Sequence, residues 1–318
     1  MLIALKIFIF IFCAFLMAFS GSLAVESLAR LARALKWREF VVGFSVMALA
    51  TSVPNLFVGI SAAIKGIPEL SFGDVVGGNV VDLTIGIAIG ALISRGLTAE
   101  SRMVQRSGLF TMGIALLPLL LSLDGELGRI DAIVLLLAFI TYNIWLFSKG
   151  DRFHKAYDAV PATDEKPRYK SILRLGLGVV LLIIGSQGIV SSGLFFAERL
   201  SLPIGLVGII IVGFGNCLPE LYFTAVSAKS RQDWLLLGDL MGGVIACASL
   251  VLAIVALIHP IIITDFSPYI LGRVFLILAA ISFMVFLRSG KKISVKEAIF
   301  LLSVYVIFLI GEIVIHYR

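Results

Sequence analysis

Ten apolar runs of about twenty residues constrain this chain more than any other feature. They lie at roughly 3–22, 39–64, 70–94, 104–122, 129–148, 171–194, 203–228, 235–258, 268–287 and 295–315. Each is long enough to cross a hydrocarbon layer ~30 Å thick. Inside such a layer every backbone polar group must be satisfied within the protein, so only helices and closed barrels span it. A barrel would show alternating segments of ~10 residues, and the sequence carries none. The runs therefore predict an all-α polytopic membrane protein of ten transmembrane helices. Only 14% of the residues are charged, against about a quarter in a soluble domain. The net charge of +6 then predicts no nucleic-acid partner, because Lys and Arg of membrane proteins gather in cytoplasmic loops.

The distribution of basic residues orients the helices. Arg30, Arg33, Lys36 and Arg38 follow the first run, and Arg95, Arg102 and Arg106 follow the third. The hydrophilic stretch 148–170 and its flanks carry Lys149, Arg152, Lys155, Lys166, Arg168, Lys170 and Arg174. Lys229 and Arg231 follow the seventh run; Arg288, Lys291, Lys292 and Lys296 follow the ninth. The alternate connections hold only Lys65, Arg129, Arg199 and Arg318. The positive-inside bias places the first set in the cytoplasm and both termini outside, in a plasma (inner) membrane. The first run is expected to be a retained helix and not a signal peptide.

The halves on either side of 148–170 repeat each other. Adding 165 to a position carries Val42, Gly43, Pro54, Leu56, Ala63, Leu70, Gly73, Asp74, Gly77 and Gly78 onto identical residues from Val207 to Gly243. Five spans per half is an odd number, so the second copy enters the membrane upside down. The expected architecture is two inverted five-helix repeats: residues 1–147 with a motif at 42–82, a cytoplasmic linker at 148–170, and residues 171–318 with a motif at 207–247. Secondary transporters built this way hold their substrate between the repeats near the midplane.

Each motif has two unusual parts. The first is a proline within an apolar helix, in "ALATSVPNLF" (48–57) and "GFGNCLPELY" (213–222). Proline has no N–H and crowds the carbonyl four residues back, so Pro54 and Pro219 are predicted to break their helices and free the carbonyls of Ala50 and Gly215. Such backbone is tolerated at membrane depth only inside protein or beside a watery cavity, and free carbonyl oxygens suit hard cations. Thr51, Ser52 and Asn55 flank one proline; Asn216, Cys217 and Glu220 flank the other. The second part is "GDVVGGNVVD" (73–82) and "GDLMGGVIAC" (238–247). Gly77, Gly78, Gly242 and Gly243 are read as close-packing positions. Residues 74, 78 and 82 share a helix face, which puts Asp82 ~12 Å deeper than Asp74. Ionisable groups inside a membrane are costly and usually functional. Glu220 and Asp82 are accordingly expected to bind a cation or a proton, the structural alternative being a buried polar pair. Asp74 and Asp239 are read as ion-pathway or proton-relay residues, the alternative being helix N-caps.

Together these motifs resemble the two α-repeats of the sodium/calcium exchanger (cation/calcium antiporter) family, whose pattern is roughly G-T-S-x-P-E followed by G-N-x-x-G-S-N-x-x-N/D. The resemblance covers the ten-helix layout and both repeats. It implies ion ligands at Glu220, Asp82, Thr51, Ser52 and the carbonyls of Ala48 and Gly213; Asn55, through its amide oxygen, and Asn216 are also read as cation ligands, the alternative for Asn55 being a helix–helix hydrogen bond. Several positions depart from the pattern. Asn55 stands for the first Glu, Asn216 and Cys217 for the second Thr-Ser pair, Gly78 and Gly243 for the two Ser, and Cys247 for the second terminal Asn or Asp. Asp74 and Asp239 take the place of Asn.

The resemblance implies a secondary active antiporter, not an enzyme, that moves Ca2+ against Na+ or H+ by alternating access. Its partners are expected to be inorganic cations and the bilayer, with no cofactor; the oligomeric state is left open. No P-loop or phosphorylation motif points to ATP. Asp82 and Glu220 supply two negative charges, enough to neutralise one Ca2+ but poor for three Na+. A proton-coupled or monovalent-cation antiporter, and a diverged member acting as a membrane interaction subunit, remain alternatives. Cys13, Cys217 and Cys247 have no metal-ligand spacing, and the last two are read as small apolar fillers. Asn79 is read as a packing residue. Glu26, Arg273 and Glu312 are expected to snorkel towards the interface.

Overall fold

A computed structural model of the chain describes residues 2–34, 39–100, 102–148, 169–231 and 233–316. Most side chains from 22 to 51, and a few elsewhere including that of Pro219, lie outside this description. So does most of the 148–170 linker. All ten predicted spans are helical: α1 (Leu2–Ala34), α2 (Glu39–Ile64), α3 (Pro68–Ser94), α4 (Arg102–Leu121), α5 (Arg129–Phe147), α6 (Tyr169–Leu200), α7 (Ile204–Lys229), α8 (233–258), α9 (Ile270–Arg288) and α10 (Val295–His316).

Two short antiparallel ribbons tie the halves together. β1 (Leu97–Thr98), in the α3–α4 connection, pairs with β4 (Lys292–Ile293), in the α9–α10 connection. β2 (Glu126–Leu127), between α4 and α5, pairs with β3 (Ile261–Ile262), between α8 and α9. Inverting the repeat sends β1 to β3 and β4 to β2, so one ribbon is the pseudo-symmetry mate of the other. Each is pinned by two fully buried residues, Leu97 with Ile293 and Leu127 with Ile261. Paired loops must share an end of the bundle. The grouping matches the alternation read from the basic residues.

At the centre, the proline helix of each repeat packs on the Gly-Asp helix of the other: α7 on α3, and α2 on α8. Glycine permits the first contact. A Cβ on Gly73 would overlap the carbonyl oxygen of Gly205, and one on Gly77 that of Ile209. Gly213 returns the fit, since its Cβ would lie 2.8 Å from the Gly78 backbone nitrogen and 3.0 Å from the Asp74 backbone carbonyl oxygen. Gly78 itself is less crowded, with Cys217 Sγ 3.3 Å from a Cβ placed there. Around Gly242 no described atom comes within 4 Å of such a Cβ, and the facing part of α2 lies largely outside the described side chains.

The long α1 and α6 run side by side, with a separate apolar cluster of Phe10, Met17, Val58, Leu70, Leu182 and Val212 beneath them. A hydroxyl pair, Ser61 Oγ and Ser186 Oγ at 2.7 Å, joins α2 to α6. An apolar groove of about 320 Å³ opens along this flank, lined by Ile3, Ile7, Phe10, Phe195, Phe196 and Arg199 among others. No acidic residue is in its lining.

Two expectations, for Pro54 and Glu312, need correction, and the N-cap alternative for Asp74 and Asp239 is excluded. α2 runs unbroken from Glu39 to Ile64 with Pro54 inside it, so this proline deletes a hydrogen bond without interrupting the helix. Neighbouring helices commonly make that tolerable in membranes. Only α7 is interrupted, at Cys217, and Pro219 is the second residue of the segment that follows, where its missing N–H costs little. Asp74 and Asp239 are not N-caps: α3 begins at Pro68 and α8 at Asp233, so both lie inside their helices. Glu312 does not reach an interface. It is fully buried and bonded to the backbone of Gly272 at the start of α9. Arg273 is half-buried, donating from Nη2 to Ser122 Oγ at 2.8 Å and stacking 4.3 Å above the Phe266 ring.

Candidate functional site

α3 and α8 do not stay α-helical at their deepest polar residue. Each widens into one π turn, Asp82–Gly86 in α3 and Cys247–Val251 in α8, again 165 residues apart. Within each turn a hydroxyl bonds back to the carbonyl four residues earlier: Thr84 to Val80, and Ser249 to Ile245. Such back-bonding bends helices, and π turns inside helices often mark functional sites. Each π turn begins at the residue that ends the motif, Asp82 or Cys247. A third π turn, Gly208–Val212, precedes the break in α7. Sequence reading missed all three; the matched Thr84 and Ser249 were the available signal.

The side chains named from the sequence converge here. Ser52, Asn55, Asp74, Asp82, Asn216, Glu220 and Asp239 are all buried, none more than 6% exposed. Asp82, Asp239 and Asp74 act electrostatically on Glu220. Among the described residues, no Lys, Arg or His is among the groups acting on these four acids. Four carboxyl groups without a described basic partner form a place that only protons or cations can neutralise.

Their hydrogen bonds separate the acids into two kinds. Asp74 is satisfied across the repeat boundary, since Asn216 Nδ2 lies 3.1 Å from both of its oxygens. The others keep free oxygens. Asp82 Oδ1, Glu220 Oε2, Asp239 Oδ2, Asn55 Oδ1 and Ser52 Oγ are buried and have no hydrogen-bond partner. Buried polar atoms are nearly always bonded, so a group of such oxygens fits a ligand that needs oxygen donors. Hard cations are such ligands. Asn55 turns its Nδ2 to Cys247 Sγ at 3.2 Å, leaving the oxygen available. Asn79 is buried with an unbonded Nδ2.

The remaining predicted residues are less decisive. The Gly213 carbonyl accepts the Cys217 N–H at 3.3 Å, so it keeps one lone pair for a ligand. The details of Ala48 and Thr51 lie outside the described side chains. Among the described residues, the acids and thiols do not already close into a cage of three His, Cys, Asp or Glu donors. Neutral oxygens, or movement of one repeat against the other, would have to complete a coordination shell.

The Asp74–Asn216 bond gives a stability prediction. Replacing Asn216 with Leu leaves a buried carboxyl without its donor, at a cost of about 2–3 kcal/mol. Thermal unfolding of the purified protein in detergent is expected at a clearly lower midpoint. An unchanged midpoint would mean that the bond contributes nothing.

Comparison with known proteins bears on the same residues. The sequence pattern of the sodium/calcium exchanger protein family matches residues 5–148 and 170–314, which takes in both motifs. The sodium/calcium exchanger MaX1 of Methanosarcina acetivorans is 25% identical over 328 aligned residues, covering 90% of this chain and 92% of that protein. Inner membrane protein YrbG of Escherichia coli is 21% identical over 77% of each chain. Among solved structures, the sodium-calcium exchanger NCX_Mj soaked with Na+ and Sr2+ superposes with a TM-score of 0.66 at 23% identity, covering 96% of this chain and 98% of that one. That likeness is one of fold.

Proposed function

The chain belongs to the sodium/calcium exchanger family, and we propose that it is a secondary antiporter that exchanges Ca2+ for Na+ or H+ by alternating access. The observation that carries this reading is the group of buried, unpartnered oxygens on Asp82, Glu220, Asp239, Asn55 and Ser52. Residues kept only for architecture would satisfy one another, as Asp74 and Asn216 do. The same observation favours transport over a purely structural membrane subunit.

In this mechanism Glu220 and Asp82 hold the cation between the repeats. Asn55, Ser52, Thr51 and the carbonyls of Ala48 and Gly213 complete its oxygen shell. Two carboxylates neutralise one divalent ion, so the loaded site can be exposed to either side without carrying net charge through the membrane. Opposed packing of α2 on α8 and α7 on α3 gives one site two pseudo-equivalent faces, as an inverted repeat requires. Cations entering from either side meet the same acids. Cytoplasmic placement of the 148–170 linker and an inner-membrane location follow the basic-residue bias.

Asp239 is the residue expected to couple the site to protons. It keeps a free Oδ2 and lies electrostatically beside Asp82 and Glu220. Protons and Ca2+ compete for the same carboxylates, so uptake should fall as pH falls on the side from which Ca2+ enters. Asp239→Asn removes one competitor site and should flatten that dependence. An identical pH profile in the variant would take Asp239 out of the proton pathway.

The test of the counter-ion uses proteoliposomes of the full chain, loaded either with Na+ or at acid pH, and followed by 45Ca2+ uptake. An outward Na+ gradient or an outward H+ gradient should drive accumulation that collapses when the gradient is dissipated. Accumulation with neither gradient required, or none at all, would overturn the antiport reading.

A further inference from the structure

The apolar groove beside α1 and α6 gathers positive charge at the end of the bundle where basic residues are scarce. Of the four in the connections on that side, Lys65 and Arg199 are two. Arg199 is the charged residue of the groove's lining, which holds no acid. Lys6 stands at the same wall: its Nζ donates to Ser191 Oγ at 3.4 Å and lies 5.6 Å above the Phe195 ring. Ser191, Phe195 and Arg199 follow one another at intervals of four along α6, so they share a face. Lys65 follows the end of α2; burial, and then the neighbouring Lys6 charge, lowers its pKa. Among the described residues, none of these three cations is in an ion pair. Glu198, next to Arg199 in sequence, is exposed and outside the lining. The apolar wall is already formed. Phe196 meets Phe10 edge-on at 6.1 Å and Phe195 at 5.9 Å. Phe10 and Phe196 belong to the buried cluster beneath α1 and α6, whereas Ile3, Ile7 and Leu200 at the rim are each 45% exposed.

We propose that this groove binds an anionic phospholipid, with one acyl chain against Phe10, Phe195 and Phe196 and the phosphate held by Arg199 and Lys6. The volume of about 320 Å³ is at the small end of ligand pockets, ~300–1,000 Å³, and suits a single flexible chain better than a protein segment. A phosphodiester accepts two parallel hydrogen bonds from a guanidinium and takes an ammonium as a point charge. The bias that fills cytoplasmic loops with Lys and Arg does not account for a cluster on the opposite side. Snorkelling alone would carry a lysine to water, yet Lys6 lies partly buried over an aromatic ring. A soluble polyanion would use the charges and leave the groove empty. A zwitterionic lipid would fill the groove and bring a cation of its own to Arg199 and Lys6. Ile211 of α7 also lines the groove, so the bound lipid bridges α1, α6 and α7. The site is separate from the buried acids, and its failure would leave the exchange reading untouched.

The test is native mass spectrometry of the purified full-length protein, titrated with phosphatidylglycerol or with phosphatidylcholine of the same acyl chains. The expected result is one retained phosphatidylglycerol per chain, bound roughly 25-fold more tightly than phosphatidylcholine. Lys6→Gln and Arg199→Gln should each reduce that preference roughly fivefold, and the double variant should abolish it. Arg129→Gln removes a charge on the same side, outside the groove lining, and should keep the preference. Ile7→Trp fills the groove from an exposed position and should weaken the binding of both lipids. Lys6→Met and Arg199→Met give the same comparison where a Gln variant is not monodisperse. Equal affinity of wild type for the two lipids overturns the proposal, as does a preference that survives in the double variant or is lost equally in Arg129→Gln. Unchanged phosphatidylglycerol binding in Ile7→Trp overturns the seat assigned to the acyl chain.

Discussion

Glu220→Gln is expected to reduce 45Ca2+ uptake into gradient-loaded proteoliposomes to background. Glu220 is 6% exposed, keeps an unbonded Oε2, and stands next to Asp82 with no described basic side chain acting on either. The substitution keeps the shape of the side chain and removes a negative charge from a poorly screened interior. One unit charge at ~4 Å contributes about 4 kcal/mol even at an effective dielectric constant of ~20, equivalent to ~10³-fold in affinity. The pseudo-symmetry mate of Glu220 is Asn55, already neutral, so the first repeat supplies no carboxylate at the matching position. Asp82→Asn should act in the same direction for the same reason. Uptake by Glu220→Gln at wild-type rates would mean that the cation does not pass this carboxylate. Because Gln is nearly isosteric, size-exclusion behaviour of the variant should match wild type.

The second large effect concerns folding. Gly77→Val should sharply reduce the yield of monodisperse protein in detergent. A Cβ at that position overlaps the carbonyl of Ile209, so α3 and α7 cannot keep their spacing. Overpacking a core typically costs 1–3 kcal/mol. Here the obstacle is backbone, which cannot rotate aside, and the loss should lie at or above that range. Gly78→Ser, one residue on, should be tolerated. Its Cβ would meet Cys217 Sγ at 3.3 Å and the Gly213 oxygen only at 3.8 Å, and the hydroxyl would add an oxygen beside the acids. Its expected outcome is folded protein with Ca2+ affinity at or above wild type. Equal yields of Gly77→Val and wild type would contradict the packing described for α3 and α7.

The ten spans were legible because hydrocarbon forces each crossing into a continuous apolar helix, and such runs need no tertiary context to be recognised. The inverted repeat was legible because ten identities align without a gap. The acids Asp82 and Glu220 stood out through the cost of placing charge inside a membrane. What escaped depends on distance through space. Asn216 reaches Asp74 across 142 residues of sequence, and only the fold shows that this bond satisfies Asp74 while Asp239 stays free. The π turns at Asp82 and Cys247 arise from a register shift that hydropathy does not encode. Pro54 was expected to interrupt α2 and does not, because losing one N–H is insufficient where adjacent helices hold the segment in place. Glu312 lay near a span end, where snorkelling is the rule, yet the start of α9 lies beside it and offers a backbone partner.

The site joins a charged half and a thiol half under one pseudo-two-fold relation. The claim that a cation lies between Glu220 and Asp82 is open to direct observation. Crystals of the full chain soaked in Sr2+, a hard divalent ion with strong anomalous scattering, should show one anomalous peak at coordination distance from carboxylate oxygens of both residues, slightly beyond the roughly 2.3–2.6 Å typical of Ca2+. The peak should be lost in Glu220→Gln. A peak elsewhere in the bundle, or one that survives that substitution unchanged, would contradict the account.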